Sequence, residues 1–381
     1  MNKSTGATGI DATEIQARQV RARQLAQAAG LDALLVTQKY NYWYLTGHLS
    51  REFDKLMRPM LCVLPVSGDP VLIVYAQQRK AAARLCPTAT ILRYEDVPFP
   101  IELIIEALSQ LGLLAGRVGM EFGEYERLGI SVGQLRSVEV MAPRAAFVDG
   151  DAVFSELRLI KSAAEIGLIT RACDLTLSAW HKAVPRFETG MVNRDLKRIL
   201  SEELSGAGSD FDIAGHVTIG NGVHGDKPYE KGQTVWADFG ASLQGYQADV
   251  ARRAVFGTPS SDVRDAQLKI SDILEAEIAA IRPGRRACDV ACDVSDALER
   301  AGYPPLGQKK RVGHGLGLCA AELPSLGLSD ATVLRPGMVL TPEPRFNLAS
   351  GEKVHIEDVI VVTEAGCQRL SFGANEISIV D

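Results

Sequence analysis

Near the end of this chain a carboxylate stands inside an otherwise apolar run, Val354-His-Ile-Glu357-Asp-Val-Ile-Val-Val. Such a run reads as a buried strand, and an unpaired carboxylate is expensive to bury there. A bound cation removes that cost, so the fold this segment joins must bring positive charge to Glu357. Four further residues occupy equally distinctive contexts. Asp238 follows Thr234-Val-Trp-Ala and precedes Phe-Gly; Asp249 lies in Gly245-Tyr-Gln-Ala-Asp249-Val-Ala-Arg252. His314 lies in Val312-Gly-His314-Gly-Leu-Gly-Leu, and Glu343 in Pro336-Gly-Met-Val-Leu-Thr-Pro-Glu343-Pro. Four carboxylates and one imidazole are more than one divalent ion needs. They suit two ions sharing bridging carboxylates, which activate a water and steady both sides of a hydrolytic transition state. The oxygen-rich set points to manganese, with zinc, iron or cobalt as alternatives that affinity order alone does not separate.

The spacing also says how these groups meet. Asp238 and Asp249 flank a turn-like Gly240-Ala-Ser-Leu-Gln-Gly245, so a hairpin brings them to the same end of adjacent strands. Glu343 and Glu357 repeat the pattern around Leu348-Ala-Ser-Gly-Glu-Lys. The glycines on either side of His314 permit close backbone approach around its imidazole.

Strands and helices alternate through the first part of the chain. We expect an unstructured stretch over 1–12, then a helix over 14–29 and a strand over 32–36. A hairpin of strands follows at 60–65 and 70–75, then a helix over 77–85 and a strand over 90–93. Helix 101–114, strand 117–121, helix 124–135 and strand 138–141 complete it. This alternation indicates an α/β domain with a mixed sheet over 13–152. The long helical stretch 155–184 opens a second domain, 153–381, with further helices at 193–205 and 263–281 among short β-runs.

The five contexts, in this order, resemble the creatinase and methionine-aminopeptidase superfamily, and most closely its aminopeptidase P and prolidase branch. Tyr42-Trp-Tyr-Leu-Thr-Gly47, Leu157-Arg-Leu-Ile-Lys-Ser162 and Glu165-Ile166 extend the similarity over most of the chain. The resemblance implies an α+β protein: a creatinase-like N-terminal α/β domain, then a pita-bread catalytic domain of antiparallel sheet with outer helices. It implies a metal-dependent hydrolase of the Xaa-Pro peptidase type acting on small peptides, and a homodimer. Residue by residue, Asp249 and Glu357 would bridge two ions, Asp238 would chelate one, and His314 and Glu343 would favour the other. Glu343 would also serve as general base, and Arg252 would orient a ligand carboxylate.

The chain departs from that branch in two places. The peptidases carry a second histidine in the segment after the metal histidine. Here the segment reads His314-Gly-Leu-Gly-Leu-Cys-Ala-Ala321-Glu322-Leu-Pro324, and Ala321 moves no proton. The loop ahead of Asp238 is shorter than in the peptidases. Its His224, 14 residues before Asp238, is the expected catalytic histidine, with His216 as its rival. These departures keep open a small-molecule C–N hydrolase or lyase acting on an amide or related substrate. His355 shares a strand face with Glu357, Arg345 is placed to meet a substrate carboxylate, and His48 is a weaker candidate in the N-terminal domain.

Composition excludes other classes. A formal charge of −6, without a basic run of five, argues against nucleic acid as a partner. No stretch has the roughly 20 apolar residues of a membrane span. The seven scattered cysteines and the absence of a signal-peptide pattern lead us to expect a cytoplasmic protein with no membrane partner.

Overall fold

The computed structural model describes residues 9–380 except 56, 96, 211–214, 222–226, 308–309 and 374. Two compact units divide between Arg158 and Leu159, several residues beyond the boundary expected from the sequence.

The first unit, Ile10–Arg158, is built on a six-stranded mixed sheet. Its strands are β1 (Ala33–Val36), β2 (Leu61–Pro65), β3 (Val71–Tyr75), β4 (Thr90–Tyr94), β5 (Arg117–Met120) and β6 (Ala146–Asp149), in the order β4-β3-β2-β1-β5-β6. The pairs β1–β2 and β2–β3 are antiparallel and the others parallel. β1, β2 and β3 are buried along their whole lengths, which is why they read as continuous apolar runs.

Three expectations, two in this unit and one at its end, need correction. Residues 11 and 12 are not an unstructured end: Asp11 caps the Ala12–Ala28 helix, its carboxylate accepting from the Glu14 amide at 2.9 Å. The segment 138–141 is helical. It ends the helix Val132–Met141, which Ser131 and Gln134 start with a reciprocal capping box. The final strand lies later, at Ala146–Asp149. The long helix expected over 155–184 is two helices, Asp151–Leu159 and Ala163–Ala183. Ser162 breaks the run by capping the second, with its hydroxyl on the Glu165 amide and the Glu165 carboxylate on the Ser162 amide.

The second unit holds two sheets. One contains β7 (His216–Gly220), β8 (Thr234–Gly240) and β11 (Val250–Phe256); β9 (Ser242–Leu243) and β10 (Tyr246–Gln247) form a small ribbon between the last two. The other contains β12 (Arg311–Gly315), β13 (Glu322–Gly327), β14 (Val339–Pro342), β17 (Ile360–Val362) and β18 (Cys367–Arg369). β15 (Arg345–Asn347) and β16 (Lys353–His355) make a hairpin, and β19 (Ser378–Val380) joins the edge of the first sheet beside β11. The pairing is antiparallel except between β11 and β19.

Helices Ser261–Ala280 and Ala287–Arg300 pack outside the sheets, burying Ile270, Leu274, Val290 and Val294 against Leu340, Val354, Ile356 and Ile360. Each such aliphatic side chain contributes about 1.5–3 kcal/mol on burial. This core braces one side of the strands whose other side carries the acidic residues.

Candidate metal centre

Strand register explains how residues distant in sequence converge. In the β8–β11 pair Asp238 lies opposite Ala251, and Asp249 is the residue just before β11. The ribbon between them turns at Gln244 and Gly245, with φ of 49° and 80°, the left-handed pair of a type I′ hairpin. Gly240 is obligatory, because a Cβ there would sit 1.7 Å from the Ala248 carbonyl oxygen. Ala251 in turn bridges to Glu357, with mutual backbone hydrogen bonds of 3.2 and 3.3 Å. Glu357 therefore enters beside the aspartate hairpin through a single bridge. The β15–β16 pairing sets Arg345 opposite His355; that register, continued two residues, sets Glu343 opposite Glu357.

His314 pairs with Thr341 on β14 and Ser325 on β13. A Cβ on either flanking glycine would strike backbone: at Gly313 it would lie 2.6 Å from the Thr341 carbonyl oxygen, and at Gly315 2.1 Å from that of Leu323. The His314 Nδ1–H donates to the Gly315 carbonyl at 2.9 Å, leaving Nε2 bare. Nε2 faces Asp249 Oδ2 at 3.7 Å, and Glu343 Oε1 and Glu357 Oε1 each at 3.9 Å. All five residues expected from the sequence are thus gathered in one place. Asp249, His314, Glu343 and Glu357 are 5% exposed or less.

The charge balance explains what the cluster lacks. Burial raises the Glu357 carboxyl well above its usual range, and the neighbouring Asp249, Glu343 and Asp238 charges raise it further. Burial likewise raises Asp249, against the pull of His216. Asp238 is held at about 2: burial opposes its charge, but the His216 hydrogen bond and the nearby His355 outweigh it. Glu343 is also held at about 2, burial being overcome by His355, Arg345 and His314. Glu357 Oε1 has no hydrogen-bond partner among the described residues. Acceptor-only groups crowded out of water, one with an orphaned oxygen, fit divalent cations.

The other histidines divide. His216, on the strand beside Asp238, places Nε2 2.8 Å from Asp249 Oδ1 and 3.1 Å from Asp238 Oδ1. Burial disfavours its charge, but the two aspartates raise it to about 10. Its rival His224 lies outside the described residues. His48 is buried in the first unit, where its ring bonds Tyr42 and Gln78. Arg252 touches no ligand carboxylate. Its Nη1 donates to the Glu357 carbonyl at 2.7 Å and its Nη2 to Asp358 Oδ1 at 2.7 Å, so it fixes the backbone that carries Glu357.

A cationic rim escaped the sequence analysis. Arg345 donates to Glu343 Oε2, and Arg311 Nε lies 3.4 Å from Glu343 Oε1. These two, with Lys310 and Lys353, line a cavity of about 350 Å³ floored by Leu306, Val312 and Phe346. Lys353 Nζ stacks 3.8 Å over the Trp236 ring. Only Arg345 carried a signal, through its position two residues after Glu343.

Residues 167–364 match metallopeptidase family M24, and residues 18–160 match the creatinase/prolidase N-terminal domain. The chain belongs to metallopeptidase family M24. It is thus a metal-dependent hydrolase with an N-terminal creatinase-type domain and a pita-bread M24 domain. Among similar proteins, an Xaa-Pro dipeptidase of Pyrococcus furiosus is 30% identical over 60% of this chain and 67% of its own. The probable dipeptidase PepE of Mycobacterium tuberculosis is 28% identical over 92% of this chain and 93% of its own. The crystal structure of a prolidase from Thermococcus sibiricus shares the fold, with a TM-score of 0.84 at 22% identity, over 96% of this chain and 99% of that one.

Proposed function

We propose that this M24 protein is a dinuclear Xaa-Pro peptidase of the dipeptidase type. The observation that carries the reading is the convergence of Asp238, Asp249, His314, Glu343 and Glu357 around a fully buried Glu357 oxygen that has no partner among the described residues. These five residues would hold two divalent ions, Asp249 and Glu357 between them. Bound there, the ions supply Lewis acidity for the scissile carbonyl and a water of lowered pKa. Glu343, ionised across the neutral range, is the proton acceptor at its carboxylate oxygens. Arg252 holds the Glu357 segment in place. Arg345 and Arg311 present positive charge at Glu343, and with Lys310 and Lys353 they line one cavity, which suits the free C-terminal carboxylate of a dipeptide. An oxygen-rich donor set supports manganese as the working ion. Seven free cysteines suit a reducing cytoplasm, and a homodimer follows from the family resemblance.

A second reading, a non-peptide amide hydrolase or lyase on the same centre, is favoured by Ala321, which is exposed and offers no proton where the peptidases carry histidine. The experiment is hydrolysis of Gly-Pro, Ala-Pro, Met-Pro and Ala-Pro-Ala by protein reconstituted in Mn²⁺, Zn²⁺, Co²⁺ or Fe²⁺. The dipeptides should be cleaved in preference to the tripeptide and to Ala-Pro amide, which lacks the free carboxylate. Silence across the panel, in protein that holds two ions per chain, would reject the peptidase and leave the second reading.

A further inference from the structure

We propose that His355 is a sixth ligand of the metal centre, giving the Asp238 side an imidazole as His314 gives one to the Glu343 side. This rests on the reading above that cations occupy the cluster. His355 ends β16, two residues before Glu357, so strand alternation puts both side chains on the face that carries the acidic groups. The residue is fully buried, and neither ring nitrogen has a hydrogen-bond partner among the described residues. An imidazole buried that way costs about 1–3 kcal/mol if nothing else satisfies it.

The distances show what would satisfy it. His355 Nε2 is 3.5 Å from Glu343 Oε2 and 3.9 Å from Glu357 Oε2. Those separations are long for hydrogen bonds. They match the 3.7–3.9 Å that separate His314 Nε2 from its carboxylate neighbours. Two atoms bonded at about 2.1 Å to one ion sit roughly 3.0–3.6 Å apart, so a contraction of a few tenths of an ångström completes either set.

Glu357 presents Oε1 to His314 and Oε2 to His355, one oxygen to each imidazole. Ligand atoms of Asp238, His355 and Glu357 lie within 4.8 Å of one another, as do those of Asp249, His314 and Glu357. These two triads share Glu357 and carry one nitrogen each; a third, His216 with Asp238 and Asp249, leaves Glu357 out. The supports differ, however. His314 is braced by its Nδ1 bond to Gly315, whereas His355 Nδ1 is unsupported and the ring rests edge-on against Trp236. Ligand basicity and orientation depend on such support, so the ion beside His355 is the more loosely held of the two.

The test uses the full chain loaded with two equivalents of Zn²⁺ or Co²⁺, as wild type and as His355→Asn and His355→Gln. X-ray absorption should show the mean imidazole count per ion falling by about half a ligand in the variants, because one ion of two loses its nitrogen. Calorimetry should show one of two binding steps weakened at least about tenfold and the other kept. An unchanged imidazole count, or two unchanged steps, would overturn the assignment and leave His355 as packing against Trp236. If both variants fail to fold, histidine-selective ¹⁵N spectra of the zinc-loaded wild type decide, and a free His355 ring overturns the proposal. Wild-type protein that takes up no pair of ions would instead defeat the dinuclear reading itself.

Discussion

Replacing Glu357 with glutamine should move the stability of the protein in opposite directions with and without metal. Glu357 is 1% exposed, one of its oxygens has no partner among the described residues, and the Asp249, Glu343 and Asp238 charges crowd it. An amide of the same shape is neutral without taking up a proton and can donate to a neighbouring carboxylate. Relieving a buried, unsatisfied group of this kind is worth about 2–3 kcal/mol. For a unit of this size, Tm rises by about 2–4 °C per kcal/mol, so metal-free Glu357→Gln should melt about 5–10 °C above wild type. With metal the order reverses. A ligand present at 1,000 times its Kd stabilises the folded state by about 4.1 kcal/mol, more than the variant's advantage without metal, and the variant, without the carboxylate that would bridge, forgoes most of that gain. Scanning calorimetry of both proteins, after chelation and after Mn²⁺ addition, reads the crossing directly. A variant less stable than wild type in the chelated state would refute the reasoning, since Glu357 would then be a satisfied structural group. An undiminished response to Mn²⁺ would refute its role as a bridge.

Two further outcomes follow from the same electrostatics. Burial raises Asp249 and Glu357, so their protonated forms favour folding, and that contribution is lost as pH rises through their elevated values. Asp238 and Glu343, held at about 2, contribute in the opposite sense, above the ordinary carboxylate range, and lose that contribution only as pH falls toward 2. Metal binding must displace the protons on the raised pair, so affinity should climb with pH and calorimetry in buffers of different ionisation heat should register proton release; uptake of protons, or none exchanged, would contradict this charge balance. Arg252→Met should cost about 3 kcal/mol in chemical denaturation, because it removes the shorter of two hydrogen bonds to the Glu357 carbonyl and breaks one buried ion pair of Asp358. A loss below 1 kcal/mol would mean that Arg369, 3.0 Å from Asp358, suffices alone.

Much of the protein was legible in the chain itself, because the relevant physics is local. A carboxylate in an apolar strand, an imidazole between glycines and a Gln-Gly turn between two aspartates each state their requirement within about a dozen residues. So do fully buried strands such as Val71–Tyr75, whose β-branched runs leave no other reading. Local reasoning failed where two local preferences compete. Val138 and Val140 favour a strand, but the Ser131 and Gln134 capping box starts a helix that runs through them. The Ser162 cap likewise divides what hydrophobic periodicity alone reads as one long helix.

What only the tertiary structure decided is which groups share the ligands' surroundings. His216 reaches Asp238 and Asp249 because β7 pairs with β8, although 13 residues separate the two strands in sequence, a register no local pattern announces. Arg311 and Arg345 meet at Glu343 from strands that do not adjoin in sequence. His355 faces the site because one bridge, between Ala251 and Glu357, sets the hairpin that bears it against the aspartate strands. The identity of each ligand is written in a short stretch of chain; its partners are set by strand pairing, whose register depends on burial summed over whole sheets.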